Sequence, residues 1–331
     1  MGRIGIGFSG GPNASEVVEC VKLAESLGYE SAWVAEGHGG DQFAVLAACA
    51  VQTSRILLGT DITSVFVRTP PTIAMAAATV DQLSGGRFIL GLGSSHKVQV
   101  EPEHGVVYSK PLTRVRETAE FVRKLIREER ASYDGETVRV RNFDLWFKPF
   151  RPQIPIYAAA VFPKMIQTCG EIADGIILTR SSLDTAARVR EHLAEGAKRV
   201  GRDPSEIVVT SLLPTAVSER REEAYDALRP GVALYAGFFP RYNKMMSEYG
   251  FAEELATIAE AWKRGDREEA VRAVSDELIR ASSIVGTPDE AREQLEAYRR
   301  SGIDVPIISP FARGPGARAV FEAAIRACAP R

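Results

Sequence analysis

Residues 80–97, with the sequence VDQLSGGRFILGLGSSHK, decide how the rest of the chain is organised. An apolar helical pattern ends at Leu83, before a pair of glycines that stops the helix. The apolar run 88–92 then predicts a short strand that is covered on both faces. The residues that follow this strand are Gly93, Ser94, Ser95, His96 and Lys97. Parallel α/β folds bind ligands at the carboxyl ends of their strands, so these residues predict a binding loop; a glycine-rich connection without a ligand is the alternative.

Strand-like and helix-like patterns alternate along the whole sequence. Strands are predicted at 3–8, 31–36, 55–63, 88–92, 155–160, 175–179, 207–217 and 305–309. Eight such units in 331 residues predict a single α/β domain, a (β/α)8 TIM barrel. A doubly wound sheet is the competing architecture, but no G-x-G-x-x-G motif follows the first strand.

Three segments depart from the simple alternation. Residues 98–110 predict a long loop, and residues 133–149 a hairpin-like excursion. Residues 219–282 predict a helical insertion after strand seven, too long for one barrel helix. Its aromatic residues 235–242 either form a local core or line a pocket. The first helix is predicted to begin at Ser15 as its cap.

The composition indicates which partners the chain is expected to bind and in which compartment it is expected to lie. With 41 basic and 43 acidic residues, and no block of basic charge, the chain is not expected to bind nucleic acid. No apolar run approaches a membrane span of about 20 residues, and a strand pattern that begins at Ile4 leaves no room for a signal peptide. The four cysteines lack CxxC spacing, as in a cytoplasmic protein with reduced thiols. Four scattered histidines do not suggest a metal site.

The residues after the predicted strands are poor in carboxylates and rich in small and hydroxyl side chains. The set includes Ser9, Glu36, His38, Asp61, Ser94, Ser95, Thr179, Arg180 and Ser309. Such a set suits a flat, phosphorylated cofactor better than a two-carboxylate hydrolase or a dinuclear metal site. Residues 159–164 lead into a helix, where backbone N–H groups favour an anion and Lys164 adds charge. An ordinary connection between strand and helix is the alternative there.

The stretch DQLSGGRFILGLGSSHK (81–97) resembles the fourth strand of the bacterial-luciferase-like superfamily, with its D-x-x-S-x-G-R-x-x-x-G-x-G pattern. The resemblance extends over almost the whole chain, through LAESLGYESAWVAE (23–36), LGTDITSVFVRTP (58–70), GEIADGIIL (170–178) and SIVGTPDE (283–290). Within the superfamily, the chain is most similar to the deazaflavin-dependent branch, especially the methylenetetrahydromethanopterin reductases. The resemblance implies a homodimeric oxidoreductase that transfers a hydride between coenzyme F-420 and a small-molecule substrate. An FMN-dependent monooxygenase and a non-catalytic flavin-binding protein are the alternatives.

The resemblance also implies roles for individual residues. It places a non-prolyl cis peptide bond between Asp61 and Ile62, with Ile62 against the central ring of the cofactor. Other implied cofactor contacts are Gly93, Ser94, Ser95, His96 and Thr179, and a phosphate site at Ala159, Ala160, Val161 and Phe162. Glu36 and His38 are the implied catalytic residues. Glu36 is expected to act as general acid or base or to orient His38, and His38 to transfer a proton; an ion pair is the alternative for Glu36, and plain exposure for His38.

Two departures from the family pattern bear on the substrate. The reductases carry a glutamate in strand one, in a pattern such as G-I-E-F, where this chain has Gly7 in G-I-G-F. Related enzymes often carry an Asp-His pair after strand two, where this chain has Glu36 and then Gly37 before His38. The first departure removes a carboxylate and enlarges the space beside the cofactor, which predicts a substrate different from the pterin.

Overall fold

A computed structural model describes residues 2–330 of the chain. The strands are β1 (Gly5–Phe8), β2 (Ser31–Val34), β3 (Leu57–Thr60), β4 (Thr63–Ser64), β5 (Phe88–Gly93), β6 (Arg130–Asp134), β7 (Arg139–Asp144), β8 (Ile156–Ala159), β9 (Gly175–Thr179), β10 (Val208–Val217), β11 (Ile284–Gly286) and β12 (Val305–Pro310). The helices are α1 (Ala14–Ser26), α2 (Gln42–Gln52), α3 (Pro70–Ser84), α4 (Lys97–His104), α5 (Pro111–Glu128), α6 (Pro163–Ile172), α7 (Thr185–Arg199), α8 (Arg221–Phe238), α9 (Pro240–Met246), α10 (Ala252–Lys263), α11 (Arg267–Arg272), α12 (Asp276–Ala281), α13 (Pro288–Arg300) and α14 (Ala317–Ala327).

Eight parallel strands close into a barrel. Their order is β1, β2, β3, β5, β8, β9, β10 and β12, and β12 pairs with β1 to complete the circle. The first and last strands meet in the register Gly5 to Ile307 and Ile6 to Ile308. This closure confirms the predicted (β/α)8 TIM barrel and excludes the open doubly wound sheet. The predicted hairpin is present as the antiparallel pair β6 and β7.

Local capping signals account for several helix boundaries. The cap of the first helix lies two residues before the predicted one, because Asn13 rather than Ser15 accepts the N–H of Glu16. Glu16 in turn accepts the N–H of Asn13, which completes a capping box. At the end of α3, Gly85 adopts a left-handed conformation with φ of 65°, as a glycine after a helix commonly does.

Three predicted segments are organised differently from the expectation. The predicted strand 55–63 is divided into β3 and β4 by a cis peptide bond between Asp61 and Ile62, the bond that the family resemblance implies. The predicted loop 98–110 contains the short helix α4. The short strand β11, which the sequence does not predict, pairs in parallel with the end of β10 outside the barrel.

Two large aromatic side chains fill the lower part of the barrel interior. Trp33 and Tyr157 are almost fully buried, and their ring centroids lie 5.7 Å apart. Glycines opposite them provide the room: a Cβ on Gly59 would lie 2.4 Å from the Trp33 ring, and one on Gly175 would lie 2.7 Å from the Tyr157 ring. The interior is therefore packed at its amino-terminal end, and any ligand space lies at the carboxyl end.

The predicted insertion after strand seven folds into the five helices α8 to α12. These helices have a core of their own, to which Val232, Met246, Leu255, Ile258 and Leu278 contribute. The insertion also reaches the carboxyl end of the barrel, where the Tyr249 hydroxyl donates a hydrogen bond to the carbonyl of Arg180, 3.1 Å away. Among residues 2–330, no helix has both the length and the apolar character that a membrane span requires.

The strand β5 pairs with β3 and then with β4 across a one-residue irregularity. Four residue steps from Gly59 to Thr63 lie opposite three steps from Ile89 to Leu92. At this point the Thr60 hydroxyl donates to the Gly91 carbonyl at 2.8 Å and accepts the Gly91 N–H at 2.9 Å. A Cβ on residue 91 would lie 1.8 Å from the Thr60 carbonyl oxygen, so only glycine fits. The Thr60 side chain therefore replaces the missing backbone pairing.

We expect Thr60→Val to lower the free energy of unfolding by about 2–3 kcal/mol, because it leaves the buried N–H and carbonyl of Gly91 without partners. Thr79→Val is the matched control, since the exposed Thr79 hydroxyl bonds only to Met75 of its own helix. That control should change stability by less than about 0.5 kcal/mol. Urea denaturation measures both; equal effects of the two substitutions would contradict the role of Thr60.

Candidate active site

Three of the predicted cofactor residues contact one another at one side of the barrel mouth. A Cβ added to Gly93 would lie 2.6 Å from Cγ1 of Ile62 and 3.3 Å from Cβ of Ala159. The side chains of Ile62 and Ala159 are only partly buried and pack on the interior cluster around Trp33. Ile62, Gly93 and Ala159, called the cradle below, thus form a group of small and aliphatic residues whose close packing requires glycine at position 93.

Asp61 places a carboxyl group inside the barrel without a partner. The residue is 9% exposed, and neither carboxyl oxygen has a hydrogen-bond partner among the described residues. A Cβ on Gly7 would lie 3.1 Å from Oδ2 of Asp61 and 3.6 Å from Cδ2 of Leu212, so the carboxyl lies beside the glycine of strand one. Burial raises the pKa of Asp61 well above its ordinary value. The group is consequently a neutral acid under conditions in which ordinary carboxyls are ionised.

The carboxylate of Glu36 already has hydrogen-bond and ion-pair partners. It accepts the N–H of Ser64 at 2.8 Å and pairs with the guanidinium of Arg68, which also pairs with Asp41. This arrangement holds Glu36 at the mouth, next to β4. It also matches the ion pair that sequence reasoning left open as the alternative for this residue.

His38 lies at the exposed rim rather than inside the mouth. Its side chain is 76% exposed, and Nε2 lies 3.2 Å from the Glu103 carboxylate of α4. The structure therefore does not bring the two predicted proton-transfer residues, Glu36 and His38, to one buried point.

The predicted loop after β5 is ordered by hydrogen bonds and aromatic contacts. The Tyr108 hydroxyl donates to Oγ of Ser94 at 3.1 Å, and Ser95 adopts a left-handed backbone with φ of 52°. The His96 ring packs against Phe239 and Tyr242, with centroids 4.9 and 4.8 Å away. Burial, together with the charge of Arg241, lowers the pKa of His96 to about 4, so this imidazole is neutral at physiological pH.

The predicted phosphate segment leads into an uncapped helix. Phe162 precedes α6, Pro163 occupies its first turn, and no side chain caps the free N–H groups there. Lys244 of the insertion lies with its ammonium group 5.7 Å from the Phe162 ring centroid. The helix N-terminus is thus positive and has one basic side chain nearby.

Thr179 and Val161 line a cleft between α6, α7 and the insertion. The cleft also includes Arg188, His192 and Tyr249. The His192 side chain on α7 is 29% exposed, and its Nδ1 is buried without a hydrogen-bond partner among the described residues. The insertion, which the periodicity of α7 could not reveal, covers this part of the helix.

Arg180 is a site residue that sequence reasoning named but did not select. It follows Thr179 directly, is 6% exposed, and lies with its guanidinium carbon 3.8 Å from the centroid of the Tyr235 ring. The signal that could have found it is its position: a cation immediately after a buried strand lies at the ligand-binding end of a barrel.

The cysteines do not contribute a reactive group. Cys20, Cys49, Cys169 and Cys328 are buried free thiols, and burial raises the pKa of each to about 12. Thiolate chemistry is therefore excluded at neutral pH. Within the described part of the chain, His, Cys, Asp and Glu side chains form no group of three or more that could hold a metal ion.

Comparisons with known proteins agree with this architecture. A protein-family model described as luciferase-like monooxygenase matches residues 2–305. A 5,10-methylenetetrahydromethanopterin reductase of Archaeoglobus fulgidus is 30% identical over 307 residues, 91% of this chain and 91% of the relative. A Mycobacterium tuberculosis relative, provisionally named a coenzyme F-420-dependent oxidoreductase, is 29% identical over 92% of this chain and 93% of its own. The solved coenzyme F-420-dependent tetrahydromethanopterin reductase of Methanopyrus kandleri superposes with a TM-score of 0.86 at 27% identity, covering 98% and 97% of the two chains.

We expect Asp61→Asn to gain stability relative to the wild type as the pH rises from 4 to 7. Above pH 4, Asp61 is ionised in the unfolded state but protonated in the native state. The free energy of unfolding of the wild type therefore falls by up to about 1.4 kcal/mol per pH unit until the native pKa is reached. Asparagine has the same shape and cannot ionise. Urea denaturation at pH 4, 5.5 and 7 measures the difference.

Asp41→Asn is the control for this experiment. Burial opposes ionisation of Asp41, but hydrogen bonds from Arg68 and from the Ala44 backbone lower its pKa overall. Its stability difference from the wild type should stay constant above pH 4.5, because both states are then ionised. A constant difference for Asp61→Asn as well would show that Asp61 is ionised in the native protein.

Proposed function

Because the chain belongs to the luciferase-like monooxygenase family, we propose that it transfers a hydride between coenzyme F-420 and a small organic substrate. The chain is an oxidoreductase of the coenzyme F-420-dependent kind, as its sequence predicted and as its full-length relatives indicate. The observation that supports the assignment within the structure is the cradle, where the lack of a side chain at Gly93 allows Ile62 and Ala159 to approach strand β5 closely.

The residues of the mouth fit a flat cofactor with an anionic tail. Ile62, Gly93 and Ala159 offer the ring an aliphatic surface, and we assign Asp61 and Thr179 to the polar edges of the same site. Ser94, Ser95 and His96 complete it from the loop after β5, where a neutral imidazole can donate or accept a hydrogen bond. Coenzyme F-420, when bound, supplies or accepts a hydride.

The first turn of α6 is the proposed phosphate site. Ala160, Val161 and Phe162 precede Pro163, which has no N–H, and Met165 donates to the Phe162 carbonyl at 3.0 Å. Because no side chain caps this turn, we assign the N–H of Lys164 and the positive end of the helix to the anion. Lys164 and Lys244 add positive charge on either side of the turn. The charge pattern supports an anionic tail at this point and a neutral ring at the cradle.

Asp61 is the group that we propose holds a proton for the reaction. It is protonated because it is buried, both of its oxygens are free, and it lies at the ligand end of the barrel beside Gly7. The catalytic roles of Glu36 and His38 stay predictions. The hydrogen bonds of Glu36 to Ser64 and Arg68 support a positioning role, because they occupy its oxygens.

The substrate differs from a pterin in this proposal. Gly7 stands where relatives with a G-I-E-F pattern carry a carboxylate, so strand one lacks that group here. A Cβ on Gly7 would lie 3.1 Å from Oδ2 of Asp61 and 3.4 Å from Cγ2 of Ile307, so the structure does not add the space directly beside this glycine that the sequence predicts. The homodimer, the cytoplasmic location and the lack of nucleic-acid binding stay predictions. Exposed aromatic groups, above all Trp146 at 94% and Phe150 at 58%, support a covered surface in the assembly.

We expect the purified apo-protein to bind coenzyme F-420 at least tenfold more tightly than FMN, and the reduced complex not to consume oxygen. Fluorescence titration and an oxygen electrode measure the two properties. Preference for FMN with oxygen consumption would establish a monooxygenase instead. Tight cofactor binding without turnover of any donor and acceptor would establish a binding protein.

Ala159→Leu tests the place of the ring in this titration. A leucine would project onto the surface beside Gly93 and lower cofactor affinity about 10-fold to 100-fold by overpacking. Ala48→Leu, on the exposed face of α2, is the matched control and should bind normally. Unchanged cofactor affinity of Ala159→Leu would show that the ring does not bind at the cradle.

We expect Asp61→Asn to lower kcat about 100-fold or more, because a neutral amide cannot transfer a proton. His38→Asn should retain activity within about twofold, and Glu36→Gln should chiefly weaken cofactor binding. The three variants are compared in steady-state pH profiles, using the donor and acceptor that the wild type turns over. Full activity of Asp61→Asn, or loss of activity in His38→Asn alone, would contradict the role of Asp61. His38 would then be the proton-transfer residue.

A further inference from the structure

Arg180 is a buried cation without a counter-ion. Its side chain is 6% exposed, and its Nη1 has no hydrogen-bond partner among the described residues. No carboxylate of residues 2–330 lies within 4.0 Å of its guanidinium. A guanidinium cannot lose its proton to escape the cost of burial, so the site requires an anion for full compensation.

Aromatic rings of the insertion enclose this cation. Tyr235 of α8 lies under the guanidinium, and the ring centroids of Phe239 and Tyr242 lie 5.1 Å from that of Tyr235. His96, from the other side of the mouth, packs on Phe239 and Tyr242. Burial raises the pKa of the Tyr242 hydroxyl, which therefore stays protonated and able to donate. The enclosure offers one positive charge, hydroxyl groups and flat apolar faces.

The backbone fixes Arg180 in an unusual conformation. Its φ is 50°, in the left-handed region that side chains other than glycine seldom adopt. Its N–H donates to the Leu212 carbonyl at 2.9 Å, and its carbonyl accepts the Tyr249 hydroxyl at 3.1 Å. A non-glycine residue that is held in this region by bonds on both sides points to a function for its side chain.

We propose that Arg180 binds the carboxylate of an organic-acid substrate, within the aromatic enclosure of Tyr235, Phe239, Tyr242 and His96. A planar guanidinium matches a carboxylate in two parallel hydrogen bonds. The inference rests on the proposed oxidoreductase function, and it adds the chemical class of the substrate. Arg180 lies on the same strand end as Thr179, so a bound carboxylate anchors the rest of the substrate at the mouth.

Anionic oxygens could come either from the substrate or from the tail of the cofactor. The free N-terminus of α6 and its two lysines already provide a place for the tail, which leaves Arg180 for the substrate. The flat rings around Arg180 favour a carboxylate on a carbon skeleton over a bare phosphate, because such a skeleton can pack against them.

Binding of benzoate to the apo-protein, measured by titration calorimetry, tests the inference without the cofactor. We expect benzoate to bind, and neutral benzamide and inorganic phosphate to bind at least tenfold more weakly. Arg180→Met, similar in length and uncharged, should lose at least tenfold in benzoate affinity. Tyr242→Phe, which keeps the ring, should lose several-fold. Arg221→Met is the matched control, because Arg221 also lies over a tyrosine ring of the insertion but is 48% exposed and pairs with Glu290.

Thermal stability and coenzyme F-420 affinity separate the alternatives. Removal of an uncompensated buried cation should leave the melting temperature of Arg180→Met unchanged or higher, whereas a purely structural contact with Tyr235 requires a lower one.

Coenzyme F-420 affinity should be unchanged in Arg180→Met. A loss of that affinity would assign Arg180 to the cofactor tail and overturn the inference, as would equal benzoate binding by variant and wild type, or no binding by either. If benzoate binds as expected and coenzyme F-420 does not bind at all, the proposed function fails and the carboxylate site stands.

Discussion

The pairing of the first strand with the last is the constraint on which the rest of the molecule depends. It closes the parallel sheet, so that all eight strands end at one rim and their inward side chains share one interior. The size of those side chains then sets the depth of the mouth. Trp33 and Tyr157 fill the amino-terminal part of the interior, whereas the cradle near the carboxyl end has only glycine, alanine and isoleucine side chains.

Burial gives the mouth its electrostatic character. Low polarity around Asp61 keeps a carboxyl protonated, and the same surroundings hold the cation of Arg180 without a carboxylate. The ion pair of Glu36 with Arg68, by contrast, is internally compensated and stabilises the loop around β4. The carboxylate of Glu36 is thus compensated by Arg68, whereas the Asp61 oxygens and Nη1 of Arg180 have no hydrogen-bond partner among residues 2–330. Buried groups without such compensation are candidates for a functional site.

The helical insertion adds aromatic rings to the carboxyl end of the barrel. It carries a core of its own, which also packs on Ala216 of β10, and this core supports Tyr235, Phe239 and Tyr242. Contacts of these rings with His96 and Arg180 join the loops after β5 and β9 into one enclosure. The barrel is the part of the structure that carries the family pattern, and in our proposal the insertion contributes to the choice of substrate.

The sequence by itself determined the eight strand–helix units, the helical insertion, the cofactor class and the cis bond after Asp61. The period of hydrophobic residues, the glycines that end helices and the family pattern are all local signals. Each can be read from the sequence without knowledge of the fold. Only the tertiary structure decided that Asn13 caps α1, that Glu36 has partners while Asp61 has none, and that Arg180 is buried. Partnership and burial depend on which side chains of distant strands face the same interior, and this is fixed by sheet register and by the insertion rather than by any local pattern.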